Sequence, residues 1–216
     1  MNTKPFDLVI FDCDGVLVDS EPITNTVYMQ MLREYGLEAN AEEYLREFWG
    51  QAMTYRLDVT SRQFNWTPPE NFLSVFHERL VEMNLRELKP VVGIRELIQS
   101  LTAPYCVASN GHQEEIATRL KATHLTDLFV GKKIFSGMEM PHPKPAPDVY
   151  LAAAKAFNLP PERCVVIEDS IPGITAGIRA GMKVYGHAAF TAKETLRQAG
   201  AIPFGSMPEL QRILSA

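Results

Sequence analysis

Four short runs of apolar, mostly β-branched residues break off abruptly into polar residues. Leu8-Val9-Ile10-Phe11 meets Asp12-Cys13-Asp14-Gly15, and Tyr105-Cys106-Val107-Ala108 meets Ser109-Asn110-Gly111. Cys164-Val165-Val166-Ile167 meets Glu168-Asp169-Ser170, and Met182-Lys183-Val184-Tyr185 meets Gly186-His187. Near-continuous apolar runs of this length suit strands buried on both faces of a parallel sheet. Helical spacing fills the intervals, over roughly 95–101, 113–122 and 148–157, and from Ile171 to a capping glycine at Gly181. Alternating strands and helices predict a doubly wound α/β sheet, mainly parallel. In such sheets the site lies beyond the carboxyl ends of the strands, where all four polar clusters fall.

The stretch from about Glu21 to Lys89 departs from this rhythm. Its apolar residues (Val27, Met31, Leu32; Leu73, Phe76, Leu80, Val81) follow helical spacing, and no buried strand stands out. Thr67-Pro68-Pro69 is a break that should start a new helix. The pattern predicts an all-helical insert directly after the first strand and its acidic loop. Residues 1–18 and 90–216 then form the α/β core, and residues 19–89 the insert. Trp49 and Trp66, both in the insert, are expected in its core rather than stacked on a ligand.

Composition narrows the function classes. The 216 residues are 46% hydrophobic, ample for a core, and Lys plus Arg total 21 against 26 for Asp plus Glu. A formal charge of -5 offers no broad basic field for nucleic acid or an anionic membrane. A phosphorylated substrate would need local cations and a metal instead. No apolar stretch of signal-peptide length follows Met1–Pro5, and Leu8–Phe11 is far too short to span a bilayer. Three cysteines, Cys13, Cys106 and Cys164, lack the paired spacing of a zinc site and are expected to be reduced and partly buried. These features point to a cytoplasmic protein.

The candidate chemistry starts at Asp12-x-Asp14-Gly15. At the end of an extended strand, residues i and i+2 point to the same side. Asp12 can attack phosphorus to give an aspartyl-phosphate, while Asp14 protonates the leaving oxygen and later deprotonates water. Gly15 allows the sharp turn that follows. An Asp-x-Asp pair alone more often marks a solvated turn or a helix cap. Here it ends a buried strand, and Glu168-Asp169 ends another, so converging carboxylates call for a hard cation such as Mg²⁺. Ser109-Asn110-Gly111, ahead of a helix, can seat a phosphate or simply cap that helix. Lys144, held between Pro143 and Pro145, can act as a point charge on a phosphoryl oxygen and on the carboxylates.

Asp12-Cys-Asp14-Gly-Val-Leu-Val-Asp-Ser, Ser109-Asn, Lys144-Pro and Glu168-Asp169-Ser, in this order, resemble the four motifs of the haloacid dehalogenase-like hydrolases. Within that superfamily the chain resembles the β-phosphoglucomutase-like branch, which includes bacterial sugar-phosphate and 6-phosphogluconate phosphatases. The resemblance covers essentially the whole chain. It implies a Rossmann-like core with a C1 cap, the helical insert, that closes over the core and excludes water. It also implies Asp12 as nucleophile and metal ligand, and Asp14 as general acid/base with its backbone carbonyl on Mg²⁺. Ser109 and Asn110 would hold the phosphoryl group, and Lys144 would stabilise its charge. Asp169 would bind Mg²⁺ directly, with Glu168 doing so directly or through water. Gly50, followed by Gln51, falls where caps of this branch present a substrate loop.

Two departures separate this chain from its neighbours in that superfamily. The mutases it resembles carry a histidine where an ungapped match gives Thr24, and a phosphate-binding arginine absent from Gln51-Ala52-Met53-Thr54. The dehalogenases lack the second acid, present here as Asp14. The expected activity is therefore Mg²⁺-dependent hydrolysis of small phosphorylated sugars or sugar acids. The alternatives are a phosphosugar mutase and a non-catalytic phosphometabolite binder, and a binder need not keep both a nucleophile and an acid. A monomer is the default expectation.

Overall fold

The computed structural model describes residues 6–37 and 53–215, which fall into two compact units, Met1–Asp19 with Lys89–Ala216 and Ser20–Leu88. Gly50 and Gln51 lie outside the described residues, as does Trp49.

The first unit is built on six strands: β1 (Leu8–Phe11), β2 (Tyr105–Ser109), β3 (Ile134–Ser136), β4 (Cys164–Glu168), β5 (Lys183–His187) and β6 (Ile202–Phe204). They lie in the order β3-β2-β1-β4-β5-β6, and every neighbouring pair is parallel. The chain runs outward from β1 in one direction, then returns to the other side of β1 to continue. The switch point therefore lies between β1 and β4, whose registers pair Leu8 with Cys164 and Phe11 with Ile167. Crevices open at such points beyond the carboxyl ends of the strands.

Both faces of the central strands are covered, which is why their sequences read as unbroken apolar runs. Leu8, Ile10, Cys106, Ala108, Val166 and Val184 pack with Val149, Tyr150, Ala153 and Ile174 in one cluster. Of these helical residues, the first three belong to α6 (Asp148–Ala156) and Ile174 to α7 (Ile171–Arg179), counting helices in chain order. α4 (Ile94–Ser100) and α5 (Gln113–Ala122) bury Ile94, Leu97, Ile98, Ile116 and Leu120. All three cysteines are free and fully buried. The four strands expected from the apolar runs are present, and the expected helices start and stop within two residues of the spacing.

The edge strands β3 and β6 escape that pattern, as do α8 (Lys193–Gln198) and α9 (Met207–Ser215). Each edge strand has three residues and is only partly buried, and β6 contains Pro203. Proline lacks the donor a central strand needs, so such a segment belongs at an edge.

The second unit holds α1 (Glu21–Glu34), α2 (Met53–Phe64) and α3 (Phe72–Glu87). Its interior is partly polar. Arg56, almost wholly buried, donates to Asn25 Oδ1 at 2.5 Å and to Glu21 Oε2 at 2.9 Å, tying α2 to α1. Tyr28 shares a hydrogen bond with Thr60 at 2.7 Å and meets Phe72 and Phe76 edge to face. Trp66, expected in the core, is half-buried and packs on the exposed Tyr35 and the buried Phe72. On α3, Phe72 and Phe76 turn inward, while Leu73 and Val81 stay exposed.

Ile10, in the middle of β1 and wholly buried, has strands on both sides. Ile10→Ala should cost about 2–5 kcal/mol, the usual loss when a buried isoleucine becomes alanine. Urea denaturation measures this, and a loss below that range would mean the sheet centre repacks.

Candidate active site

β1 ends at Phe11, and Asp12 follows with its N–H on the Ile167 carbonyl at 2.9 Å, so the last ladder bond of the switch point fixes its backbone. The acidic loop then folds back on itself. Gly15 N–H reaches the Val18 carbonyl, and the Leu17 and Val18 N–H groups both bond the Cys13 carbonyl. Gly15 has φ +69°, and a Cβ there would lie 1.8 Å from Asp169 Oδ2. The glycine thus makes the turn and clears space for the Asp169 carboxylate against the loop.

Lys144 ties the cluster together. Its ammonium donates to Asp12 Oδ1 at 2.5 Å, to Glu168 Oε1 at 2.8 Å and to the Ala108 carbonyl at 2.9 Å. It also sits 4.8 Å from the Tyr150 ring centre, and the Tyr150 hydroxyl donates to Glu168 Oε1 at 3.1 Å. The loop carrying Lys144 is itself clasped. Asn110 accepts the Lys144 N–H at 2.9 Å and donates to the Lys144 carbonyl at 3.2 Å. The side chain expected to seat phosphate thus also clasps the lysine backbone with both its polar atoms. Ser109, at the end of β2, is buried, and its hydroxyl accepts the Gly111 N–H at 3.2 Å.

Glu168 is similarly committed. Its Oε2 accepts from Asp169 N–H at 2.9 Å, Ser170 N–H at 2.8 Å and the Ser170 hydroxyl at 2.9 Å, in addition to the two donors on Oε1. Ser170 also caps α7 by accepting the Gly173 N–H at 3.1 Å. A Cβ on Gly173 would lie 1.6 Å from Glu168 Oε1, so only glycine leaves room for this carboxylate at the helix start. With five donors on its two oxygens, Glu168 is better placed to orient Lys144 than to ligate an ion directly.

Asp12, Glu168 and Asp169 each present an oxygen within 4.8 Å of the others. Asp14 adds a fourth carboxylate, whose Oδ2 pairs with Arg119 Nη1 at 3.0 Å. Four carboxylates, with Asp12 and Glu168 buried and Asp14 and Asp169 half-buried, outnumber Lys144 and Arg119 and leave an excess of negative charge. Burial above all pushes the Asp12 carboxyl up to about 7, with Glu168 and Asp14 adding to the rise and Lys144 opposing it. Burial also acts to raise Glu168, but Lys144 and the Ser170 donors outweigh it and hold the group below its ordinary value. Lys144 is held well above its usual value by Asp12 and Glu168, against the effect of burial. A buried carboxylate short of positive charge, amid an all-oxygen donor set, fits a hard divalent cation.

Three further residues support the site, of which only His187 lay in a polar cluster that the sequence marked. Tyr150 looked like one apolar position of α6. Arg119, in the last turn of α5, looked like an ordinary cation at a helix end. His187, at the end of β5, donates from Nδ1 to the Gly15 carbonyl at 2.8 Å and stacks on Phe204. Burial lowers its pKa, so it braces the acidic loop as a neutral ring.

The family model described as haloacid dehalogenase-like hydrolase matches residues 9–187. The 6-phosphogluconate phosphatase of Escherichia coli (strain K12) is 33% identical over 83% of this chain and 81% of its own length. A phosphorylated carbohydrates phosphatase from Thermotoga maritima is 30% identical over 96% of this chain and 98% of its own. A crystal structure of a haloacid dehalogenase-like protein of unknown function from Agrobacterium tumefaciens superposes with a TM-score of 0.88 at 31% identity, covering 97% of this chain and 98% of that one. The chain belongs to the haloacid dehalogenase-like hydrolase family, and it is an enzyme of the phosphoric monoester hydrolase class.

Gly173→Ala should evict Glu168 from its seat, leaving Lys144 with one carboxylate partner. At least a tenfold fall in turnover is expected, the scale of losing one positioned electrostatic group. Gly181→Ala, where a Cβ meets nothing closer than 3.9 Å, reports the cost of backbone strain alone at its φ of +77°. Equal losses in both variants would refute the steric argument. In EDTA, folded Asp12 keeps its proton to about pH 7, whereas the unfolded chain releases it near the ordinary value of 3.8. The folded state therefore binds more protons across that window, and stability falls as pH rises from about 4 to 7. Denaturation of wild type and Asp12→Asn across these pH values isolates this effect. A wild type that gains stability relative to the variant over that range would contradict it.

Proposed function

We propose that this enzyme is a Mg²⁺-dependent phosphatase for small phosphorylated sugars or sugar acids, working through an aspartyl-phosphate on Asp12. The observation that carries the reading is Lys144 bridging Asp12 and Glu168 at the switch point of the sheet, within an excess of carboxylates. Two of the relatives named above act, by their names, on phosphorylated carbohydrates or 6-phosphogluconate, which supports the substrate class.

In this reading an Asp12 oxygen attacks phosphorus, forming the aspartyl-phosphate as the ester P–O bond breaks. Asp14 gives its proton to the departing oxygen. It then takes one from the water whose oxygen attacks phosphorus, breaking the bond to Asp12 and freeing phosphate. Lys144 lies against Asp12, where it offsets charge on the transferring group, and Ser109 offers a hydroxyl to seat it. Asn110 contributes by fixing the lysine loop. Asp12, Asp169 and the Asp14 backbone carbonyl would hold the cation, with Glu168 nearby as the orienter of Lys144. When bound, Mg²⁺ would neutralise the carboxylates and polarise a phosphoryl oxygen.

The α/β unit is taken as the catalytic core. The helical unit is taken as the cap that selects substrate, with Gly50 and Gln51 in its recognition loop. Thr24 stands where the related mutases carry histidine, and its hydroxyl is turned onto the Ser20 carbonyl of its own helix at 3.0 Å. Hydrolysis is accordingly preferred to phosphoryl return, and the enzyme is taken to work in the cytoplasm as a monomer.

Phosphate release from a panel of phosphorylated metabolites, with EDTA and with Mg²⁺ restored, is the primary test. Mg²⁺-dependent release is expected from sugar phosphates, with Asp12→Asn reducing it to background. Turnover by that variant near the wild-type rate would exclude the aspartyl-phosphate. Incubating hexose 1-phosphate with a trace of bisphosphate should liberate phosphate. Stoichiometric 6-phosphate without it would favour a mutase.

A further inference from the structure

The acidic loop turns at Gly15, a buried residue whose carbonyl is held by His187 from a different strand. We propose that His187 is a positioning residue for the cation, fixing the backbone that carries the Asp14 carbonyl. The proposal rests on the reading that the Asp14 carbonyl and Asp169 hold Mg²⁺.

Gly15 is the point of the loop whose backbone most needs fixing. It has no side chain to restrict it, and its φ of +69° lies in the left-handed region. Each of its two flanking peptides is pinned by a hydrogen bond. The N–H of the Asp14–Gly15 peptide reaches the Val18 carbonyl at 2.8 Å. The carbonyl of the Gly15–Val16 peptide accepts from His187 Nδ1, also at 2.8 Å. The Asp14 carbonyl belongs to the first of these peptides, so its direction depends on the Gly15 torsions that both bonds hold. Asp169 Oδ2 lies 1.8 Å from where a Gly15 Cβ would stand. A shift of this glycine would therefore disturb two of the proposed oxygen donors together.

His187 is itself firmly placed. It ends β5 in register with Phe204 of β6, and the two rings stack with centres 5.1 Å apart and planes 15° from parallel. Only 6% of the residue is exposed. A carbonyl oxygen only accepts, so Nδ1 carries the N–H of the ring. A buried Gly15 carbonyl that lost this donor would have to turn to find another. Groups behind metal ligands set affinity in this way, by holding a ligand's direction without touching the ion.

The test separates the donor from the ring. His187→Phe keeps an aromatic ring for Phe204 but has no N–H, whereas His187→Asn carries an amide N–H at the branch where Nδ1 stood. Mg²⁺ alone is titrated into the metal-free enzyme and followed by calorimetry. His187→Phe should weaken Mg²⁺ binding by about 10-fold or more, the usual scale for losing a group behind a ligand. The Mg²⁺ concentration giving half-maximal phosphate release should rise in parallel. His187→Asn should recover part of the affinity although it loses the stack. Unchanged affinity in His187→Phe, or equal losses in both variants, would overturn the proposal. If thermal melting shows His187→Phe unfolded, His187→Leu, close in shape to asparagine but without the donor, takes its place under the same criteria. Asp169→Asn checks the underlying reading. If it leaves Mg²⁺ binding unchanged, the cation assignment fails and the role of His187 falls with it. Weakened binding in Asp169→Asn with none in His187→Phe would overturn the role of His187 alone.

Discussion

An ammonium buried between two carboxylates organises this enzyme. Lys144 lies inside the protein with all three of its donors engaged, on Asp12, Glu168 and a β2 carbonyl. Removing such a charge from water costs several kcal/mol, and breaking a buried pair from one side is commonly worse than never having made it. The surroundings are accordingly built to hold each partner in place. Tyr150 supports the lysine with its ring and the glutamate with its hydroxyl, Asn110 clasps the lysine backbone, and the start of α7 receives Glu168. The negative charge left over makes the pocket receptive to a divalent cation.

Close approach is the second constraint. Gly15 admits the Asp169 carboxylate, Gly173 admits Glu168, and Gly137, where a Cβ would lie 2.3 Å from Asn110 Oδ1, admits the asparagine that holds the lysine loop. Three acidic or amide groups thus reach their positions because three backbone segments carry no side chain. Volume, as much as charge, sets the geometry of the cluster.

The parallel sheet explains why these groups meet. Every strand of the first unit runs the same way, so every strand end exposes its next residues on one side of the sheet. The order places β1 beside both β2 and β4. Asp12, Ser109 and Glu168 are distant in sequence yet sit at the ends of three adjacent strands. Activity class and fold are thereby joined, since the site is what the topology leaves open at its switch point. The helical unit has a different internal logic, with Arg56 neutralised between Glu21 and Asn25 and an aromatic cluster around Phe72.

By itself the sequence determined the central strands, because burial on both faces demands unbroken apolar runs that no loop would keep. It also determined the order of the acidic, hydroxyl and lysine motifs, because each ends a strand or lies in a loop stiffened by proline. Edge strands stayed hidden because three residues, only partly buried and in β6 including a proline, carry no periodic signal. The roles of Tyr150, Arg119 and His187 were decided only by the tertiary structure. An aromatic residue on an apolar helix face, a cation in a last helical turn and a histidine after a strand are each ordinary in sequence. What distinguishes them is the partner each meets, across 18, 105 and 172 positions of chain. The same holds for the second role of Asn110, whose two polar atoms each also bond the backbone of Lys144, 34 residues away. Spacing along a chain shows which face a side chain occupies; only folding brings up the group opposite.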